Sequence, residues 1–371
     1  MGAVRIDSHQ HFWRYRAADY PWIGPGMEVL ARDYLPDALR PLMHTQALGA
    51  SIAVQARAGR DETAFLLDLA RDDTHIAAVV GWEDLAAPQL AERVAEWRSP
   101  KLRGFRHQVQ DEADAGAFVA DPGFNRGIAW LQANGYVYDV LVFERQLPDV
   151  QAFCARHDAH WLVLDHAGKP ALAEFERDES ALARWRAALR ELGALPHVAC
   201  KLSGLVTEAD WKRGLRGKDV RHIEQCLDAA LDAFGPQRLM FGSDWPVCLL
   251  AASYDEVASI VERWAESRLS AAERSALWGG TRRVVMRCRA TRSAAYKIGA
   301  NGPCASPGRP QCNRSPASTY VHPADPEPPP VPADRRQAQC DDRIRRFSAG
   351  QLPAARARTG RTVRRVAHVG A

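Results

Sequence analysis

The chain has 371 residues, 46% of them hydrophobic, and a formal net charge of +4. No apolar run approaches the roughly 20 residues that span a bilayer, and no basic stretch followed by an apolar core opens the chain as in a secretory signal. No membrane-spanning helix and a cytoplasmic location are therefore expected. The charge is uneven: from Arg292 onward 14 Lys and Arg face 5 Asp and Glu, a surplus of +9, so the preceding residues carry −5. Those residues read as a mildly acidic enzyme rather than a partner of nucleic acid.

Short apolar runs alternate with longer amphipathic ones up to about Arg283. Strands are predicted at 4–9, 50–55, 76–82, 102–107, 137–142, 161–166, 198–203 and 239–244. Between them, 61–71, 88–98, 146–156, 181–192, 222–234 and 255–268 repeat Leu, Ala, Val or Trp at every third or fourth position, the period of an amphipathic helix. Eight strands alternating with helices over this length are the signature of a TIM-type (β/α)8 barrel, assigned to residues 1–287. An open doubly wound sheet is the alternative. No Gly-x-Gly-x-x-Gly follows the first strand, which argues against a dinucleotide-binding version.

Residues 288–371 differ in composition. They hold 11 of the 23 prolines, Arg pairs recur, and apolar periodicity is lost. Such a segment buries too little surface to offset its ordering entropy, so a disordered basic Pro/Arg-rich tail is expected. Its composition is that of an out-of-frame translation of GC-rich coding sequence. Few aromatics are present for base stacking, which weighs against a nucleic-acid-binding tail. Cys154, Cys200, Cys226 and Cys248 lie singly in apolar segments and are expected to be buried thiols. Cys288, Cys304, Cys312 and Cys340 form no Cys-x-x-Cys pair that suggests a zinc knuckle.

In a barrel of this kind the chemistry sits at the C-terminal ends of the strands. His9 and His11 end the first strand, and period-two alternation points both the same way, close enough to share one ion. His166 ends the sixth strand and Asp244 the eighth. Asp244 is the candidate general base, ionised among histidines and placed to take a proton from water. Arg106 and His107 share the end of the fourth strand but alternate faces, so one enters the site; His107 is favoured, with Arg106 second. Gln55, Glu83 and Tyr138 are candidate readers of hydroxyl groups. Lys169 and Lys201 are candidate donors, and Trp13 and Trp245 a candidate apolar wall.

These strand ends also resemble a known family. Arg5-Ile6-Asp7-Ser8-His9-Gln10-His11-Phe12-Trp13, Leu102-Arg103-Gly104-Phe105-Arg106-His107, Asp165-His166-Ala167-Gly168-Lys169-Pro170, Lys201-Leu202-Ser203-Gly204-Leu205 and Phe241-Gly242-Ser243-Asp244-Trp245-Pro246 are similar, in order and spacing, to the sugar lactonase branch of the amidohydrolase superfamily. The resemblance covers about residues 4–283. It implies hydrolysis of a sugar-acid lactone, L-fucono-lactone or a related aldonolactone, with Asp244, His166 and His107 catalytic. It implies a divalent metal, with zinc the first choice, held by His9, His11, His166 and Asp244. Trp13, Gln55, Glu83, Arg106, Tyr138, Lys169 and Trp245 are then the expected substrate shell. The small-molecule lactone is the one partner expected, and oligomeric state is left open. A metal-dependent aromatic acid decarboxylase on the same barrel is the competing enzyme.

Overall fold

The computed structural model describes residues 4–281 and residue 285, so the expected tail and its four cysteines lie outside the described residues. Eight parallel strands form one sheet in sequence order: β1 (Arg5–Gln10), β2 (Leu48–Val54), β3 (Ile76–Gly81), β4 (Leu102–His107), β5 (Val137–Val140), β6 (Leu162–Leu164), β7 (Val198–Leu202) and β8 (Leu239–Phe241). Helices follow the strands as α1 (Pro36–Thr45), α2 (Arg60–Asp72), α3 (Leu90–Ala95), α4 (Ala115–Ala120), α5 (Pro122–Ala133), α6 (Leu147–Arg156), α7 (Glu179–Gly193), α8 (Gly217–Phe234), α9 (Tyr254–Arg268) and α10 (Ala271–Ser275). Every predicted strand is present, and the arrangement is a (β/α)8 barrel.

The helices form for ordinary reasons. In α9, Val257, Ile260, Val261 and Trp264 recur at helical spacing and are buried. Its start is fixed by Ser253 and Glu256, whose side chains each bond the other's backbone amide. The predicted helix at 88–98 is shorter than expected, because the chain leaves it into a turn with Arg98 at φ +41°.

Six strands also end earlier than their apolar runs suggested, two of them in left-handed turns. After β6, His166, Ala167, Gly168 and Lys169 all take positive φ, and after β8, Asp244 sits at φ +58°. Left-handed backbone is costly for residues other than glycine and persists where its surroundings hold it. Here the indole of Trp185 on α7 donates to the Ala167 carbonyl at 3.0 Å. The backbone thus stops being a strand at the positions expected to carry chemistry.

Side-chain alternation divides the barrel interior into two layers. Ile6, Ile52, Val54, Ala78, Val80, Val137, Val163, Ala199 and Met240 form an apolar cluster inside. Two residues further along their strands, Asp139, Asp165 and Lys201 enter the same interior, with Arg106 of β4 beside them. A polar layer therefore floors the site end. The larger apolar cluster lies between strands and helices.

The seam between β8 and β1 is closed by one carboxylate. Asp7 accepts from the Ser243 amide at 2.9 Å, the Ser243 hydroxyl at 2.6 Å, the Tyr254 hydroxyl at 3.1 Å and the His9 amide at 3.1 Å. Beyond it, the Asp244 amide donates to the His9 carbonyl at 2.8 Å and the His11 amide to the Trp245 carbonyl at 2.7 Å. Burial pushes the Asp7 carboxyl up to about 6, against the pull of these donors. The β1–β2 register slips between Asp7 and Gln10, and such a bulge re-aims side chains. Ile6 and His9 can then both face inward although three residues apart.

Among the described residues, no helix is long and apolar enough to cross a membrane. Asp7→Ala should leave several buried donors without partners, each worth about 1–3 kcal/mol. The urea midpoint is expected to fall by the equivalent of about 3–5 kcal/mol in total at unchanged slope; a change below about 1 kcal/mol would remove Asp7 from the seam.

Candidate metal centre and active site

The polar layer is a network of buried charges. Lys201 bonds Asp139 and lies 2.9 Å from Asp165 Oδ1. Arg106 donates from Nη1 to Asp165 Oδ2 at 3.0 Å and from Nη2 to the Gln55 carbonyl. His9 stands on this floor, its Nδ1 3.2 Å from Lys201 Nζ and 3.3 Å from Asp165 Oδ1. Asp139 and Asp165 balance Lys201 and Arg106, so Asp244 above them is one carboxylate in excess.

Three imidazoles converge on that carboxylate. Asp244 Oδ1 lies 3.3 Å from His11 Nε2, 3.8 Å from His9 Nε2 and 3.9 Å from His166 Nε2. The other ring nitrogens are engaged elsewhere. His11 Nδ1 lies 2.8 Å from the Val54 carbonyl, which assigns its proton there. His166 Nδ1 lies 2.9 Å from the Ser203 hydroxyl. The His166 ring needs Gly204 behind it, because a Cβ at Gly204 would lie 2.5 Å from Nδ1 and the residue sits at φ +63°. Gly242 is constrained likewise, since its Cβ would lie 2.6 Å from that of His9.

Electrostatics favours a cation at this point. Burial lowers His166 to about 4, and burial lowers His9 well below its ordinary value despite Asp165, so both rings are neutral at pH 7. Burial alone would raise Asp244, but His166, His11 and His9 outweigh it and hold the carboxyl well below the usual range. His9, His11 and Asp244 place their ligand atoms within 4.8 Å of one another. Imidazole nitrogens oriented through their other ring nitrogen, with one anionic oxygen, are a donor set for zinc and its first-row neighbours. The residues fit a divalent ion.

The amidohydrolase family model matches residues 6–284. The chain belongs to that family. It is 89% identical over 281 residues to an L-fucono-1,5-lactonase of Burkholderia multivorans, an alignment covering 76% of this chain and 95% of the relative. A crystal structure of a Burkholderia multivorans amidohydrolase with bound zinc is 85% identical, has a TM-score of 0.76, and is matched over 77% of this chain and all of its own. A 2,6-dihydroxybenzoate decarboxylase from Rhizobium, 13% identical with a TM-score of 0.52 over 77% of this chain and 98% of its own, shares the fold alone.

Several expected site residues of this amidohydrolase lie elsewhere. His107 faces away from the barrel axis: it accepts from the Trp82 indole at 3.3 Å, pairs with Glu112 at 2.8 Å and stacks on Phe118. Arg106, its neighbour on β4, takes the inward face, so the order of preference reverses. Tyr138 packs outside the strands against Phe124 and Phe153, while the next residue, Asp139, turns inward. Glu83 is engaged by Arg60 at 3.0 Å and Arg93 at 2.7 Å, arginines of α2 and α3. Trp13 and Trp245 are rim packing rather than a wall. The first lies among Tyr20, Trp22 and Tyr34 with its indole bonded to the Arg32 carbonyl, and the second packs on Phe12 and Tyr34. Gln55 is buried and donates to the Arg106 carbonyl at 3.2 Å. Lys169 stands at the rim, half-buried.

Sequence reasoning missed Asp7 and Asp139 and gave Lys201 the wrong neighbours. A signal was available for Asp139: a carboxylate two residues after an inward Val in a buried strand has no packing reason to be there. Lys201→Met should leave one buried carboxylate, Asp139, uncompensated, because Arg106 still pairs with Asp165, and cost about 3–5 kcal/mol. Adding Asp139→Asn should recover part of that loss in urea unfolding, and simple additivity of the two would disprove the coupling.

Proposed function

We propose that this chain hydrolyses a sugar-acid lactone, L-fucono-1,5-lactone or a close aldonolactone, to the aldonic acid. The observation that carries the reading is 89% identity to an L-fucono-1,5-lactonase over 95% of that protein. The site geometry supports it independently, because ester hydrolysis needs a base for water, a positive group for the developing oxyanion and a proton for the leaving alkoxide.

Asp244 is the base. Its carboxyl is held ionised, and it takes one proton from a water whose oxygen bonds to the lactone carbonyl carbon. Collapse of the tetrahedral adduct breaks the ring C–O bond, and Asp244 returns the proton to the departing oxygen. His9, His11, His166 and Asp244 would hold a divalent ion, for which we propose zinc; when bound, such an ion supplies Lewis-acid polarisation of the carbonyl. His166, locked by Ser203 and Gly204, keeps its Nε2 turned to Asp244. Arg106 adds fixed positive charge beside His9, its Nη1 3.3 Å from Nε2. A cytoplasmic location suits a chain of this composition acting on a small sugar acid. The decarboxylase reading is not favoured, since its proteins share only the fold.

Proton release from a panel of aldonolactones, read with a pH indicator, tests the reading. L-fucono-1,5-lactone should turn over well above its spontaneous rate, and Asp244→Asn should lower kcat by about 10³-fold. A base with a lowered pKa acts at any pH above that value and fails as pH falls through it. Asp244 and His166 should therefore contribute no acid limb from about pH 5 upward. Near-wild-type turnover by Asp244→Asn would remove the residue from this role, and turnover of hydroxybenzoates without lactones would replace the reaction.

A further inference from the structure

Two charged side chains at the barrel mouth are not used by the chemistry above. Lys169 closes the left-handed run that starts at His166, and Glu208 ends the short helical turn Leu205–Glu208 after β7. Both therefore leave strand ends on the face where the three imidazoles meet Asp244. Lys169 Nζ lies 3.9 Å from Glu208 Oε1, with the two side chains 18% and 17% exposed. The Phe143 ring lies 5.1 Å from the same ammonium. Among the described residues, neither charged group has a hydrogen bond to another side chain. Both sense the site: Lys169 pushes His166 down, and burial together with Asp244 and Glu144 raises Glu208 to about 7 against the pull of Lys169.

The separation is informative. At 3.9 Å a lysine–carboxylate pair is too far apart to hydrogen-bond, yet it has given up most of its solvent. A gap of that width takes one bridging polar oxygen. With hydrogen bonds of about 2.8 Å to each side, the angle at that oxygen is roughly 90°, near the angle between a hydroxyl's lone pair and its O–H bond.

We propose that Lys169 and Glu208 clamp one hydroxyl of the lactone ring, Lys169 donating to its oxygen and the hydroxyl donating to Glu208. Glu208 is then a specificity-determining residue of the site. The inference rests on the lactonase reading and adds how the sugar is distinguished from its analogues. Either protonation state of Glu208 accepts the hydrogen, so the clamp works on both sides of its titration.

The test compares kcat/KM for L-fucono-1,5-lactone and its monodeoxy analogues. Glu208→Leu should lose about 10- to 100-fold on the parent, chiefly through KM. On one monodeoxy analogue, which lacks the clamped hydroxyl, the same substitution should change kcat/KM less than threefold. Glu208→Gln, which keeps an acceptor, should recover most of the loss. Lys169→Met with Glu208→Leu should lose little more than either alone, because both groups hold one oxygen. An equal fall on every analogue, or no change on the parent, would overturn the clamp while wild-type turnover leaves the lactonase reading intact. Absence of wild-type turnover on every lactone overturns that reading, and the clamp with it.

Discussion

The seam between the first and last strands is the constraint on which the site depends. A parallel barrel brings strands one and eight together only at closure, and here closure runs through the carboxylate of Asp7. By accepting from Ser243 and Tyr254 on one side and from the His9 amide on the other, it fixes β1 against the β8 turn. The paired backbone bonds of His9 with Asp244 and of His11 with Trp245 follow directly. Two histidines and a carboxylate more than 230 residues apart thereby meet, the ring nitrogens of His11 and His9 at 3.3 and 3.8 Å from Asp244 Oδ1. Asp7 touches no reacting group; it positions those that do.

The second constraint is electrostatic. An interior layer with two acids and two bases is costly to desolvate and worth keeping only when its members satisfy one another. Lys201 and Arg106 do that for Asp139 and Asp165, and in doing so they present His9 with its Nε2 upward. The balance leaves Asp244 as the uncompensated anion, beside the neutral imidazoles of His9 and His166. A preference for a divalent cation and a carboxylate that stays ionised arise from the same imbalance. At the rim above it, the loose Lys169–Glu208 pair supplies polarity without competing for the metal position.

How much of this was legible in the sequence differs by residue. The eight strands were, because buried parallel strands read as continuous apolar runs, and each begins within two residues of its predicted start. His9, His11, His166 and Asp244 stood out as ionisable groups at the ends of such runs, and the structure brings them together. The ends of β6 and β8 were not legible, since left-handed turns at His166 and Asp244 depend on contacts made by α7 and β1. The face taken by residues past a strand end was also obscure. Arg106 and His107 differ by one position, and the alternation that separates them has no absolute phase without a neighbour. Glu83 and Tyr138 were polar groups at strand ends whose partners, arginines of α2 and α3 or aromatic rings of α5 and α6, come from other parts of the chain. Glu208 lies in a loop with no periodic signal at all.

We propose that His9, His11, His166 and Asp244 form one cation site. Calorimetric titration of zinc into metal-stripped protein tests it most directly, because it reads binding without reference to turnover. One tight site per chain is expected, weakened at least 100-fold by His166→Asn or His11→Asn with the thermal midpoint of the metal-free protein little changed. Unaltered stoichiometric binding in either variant would contradict it.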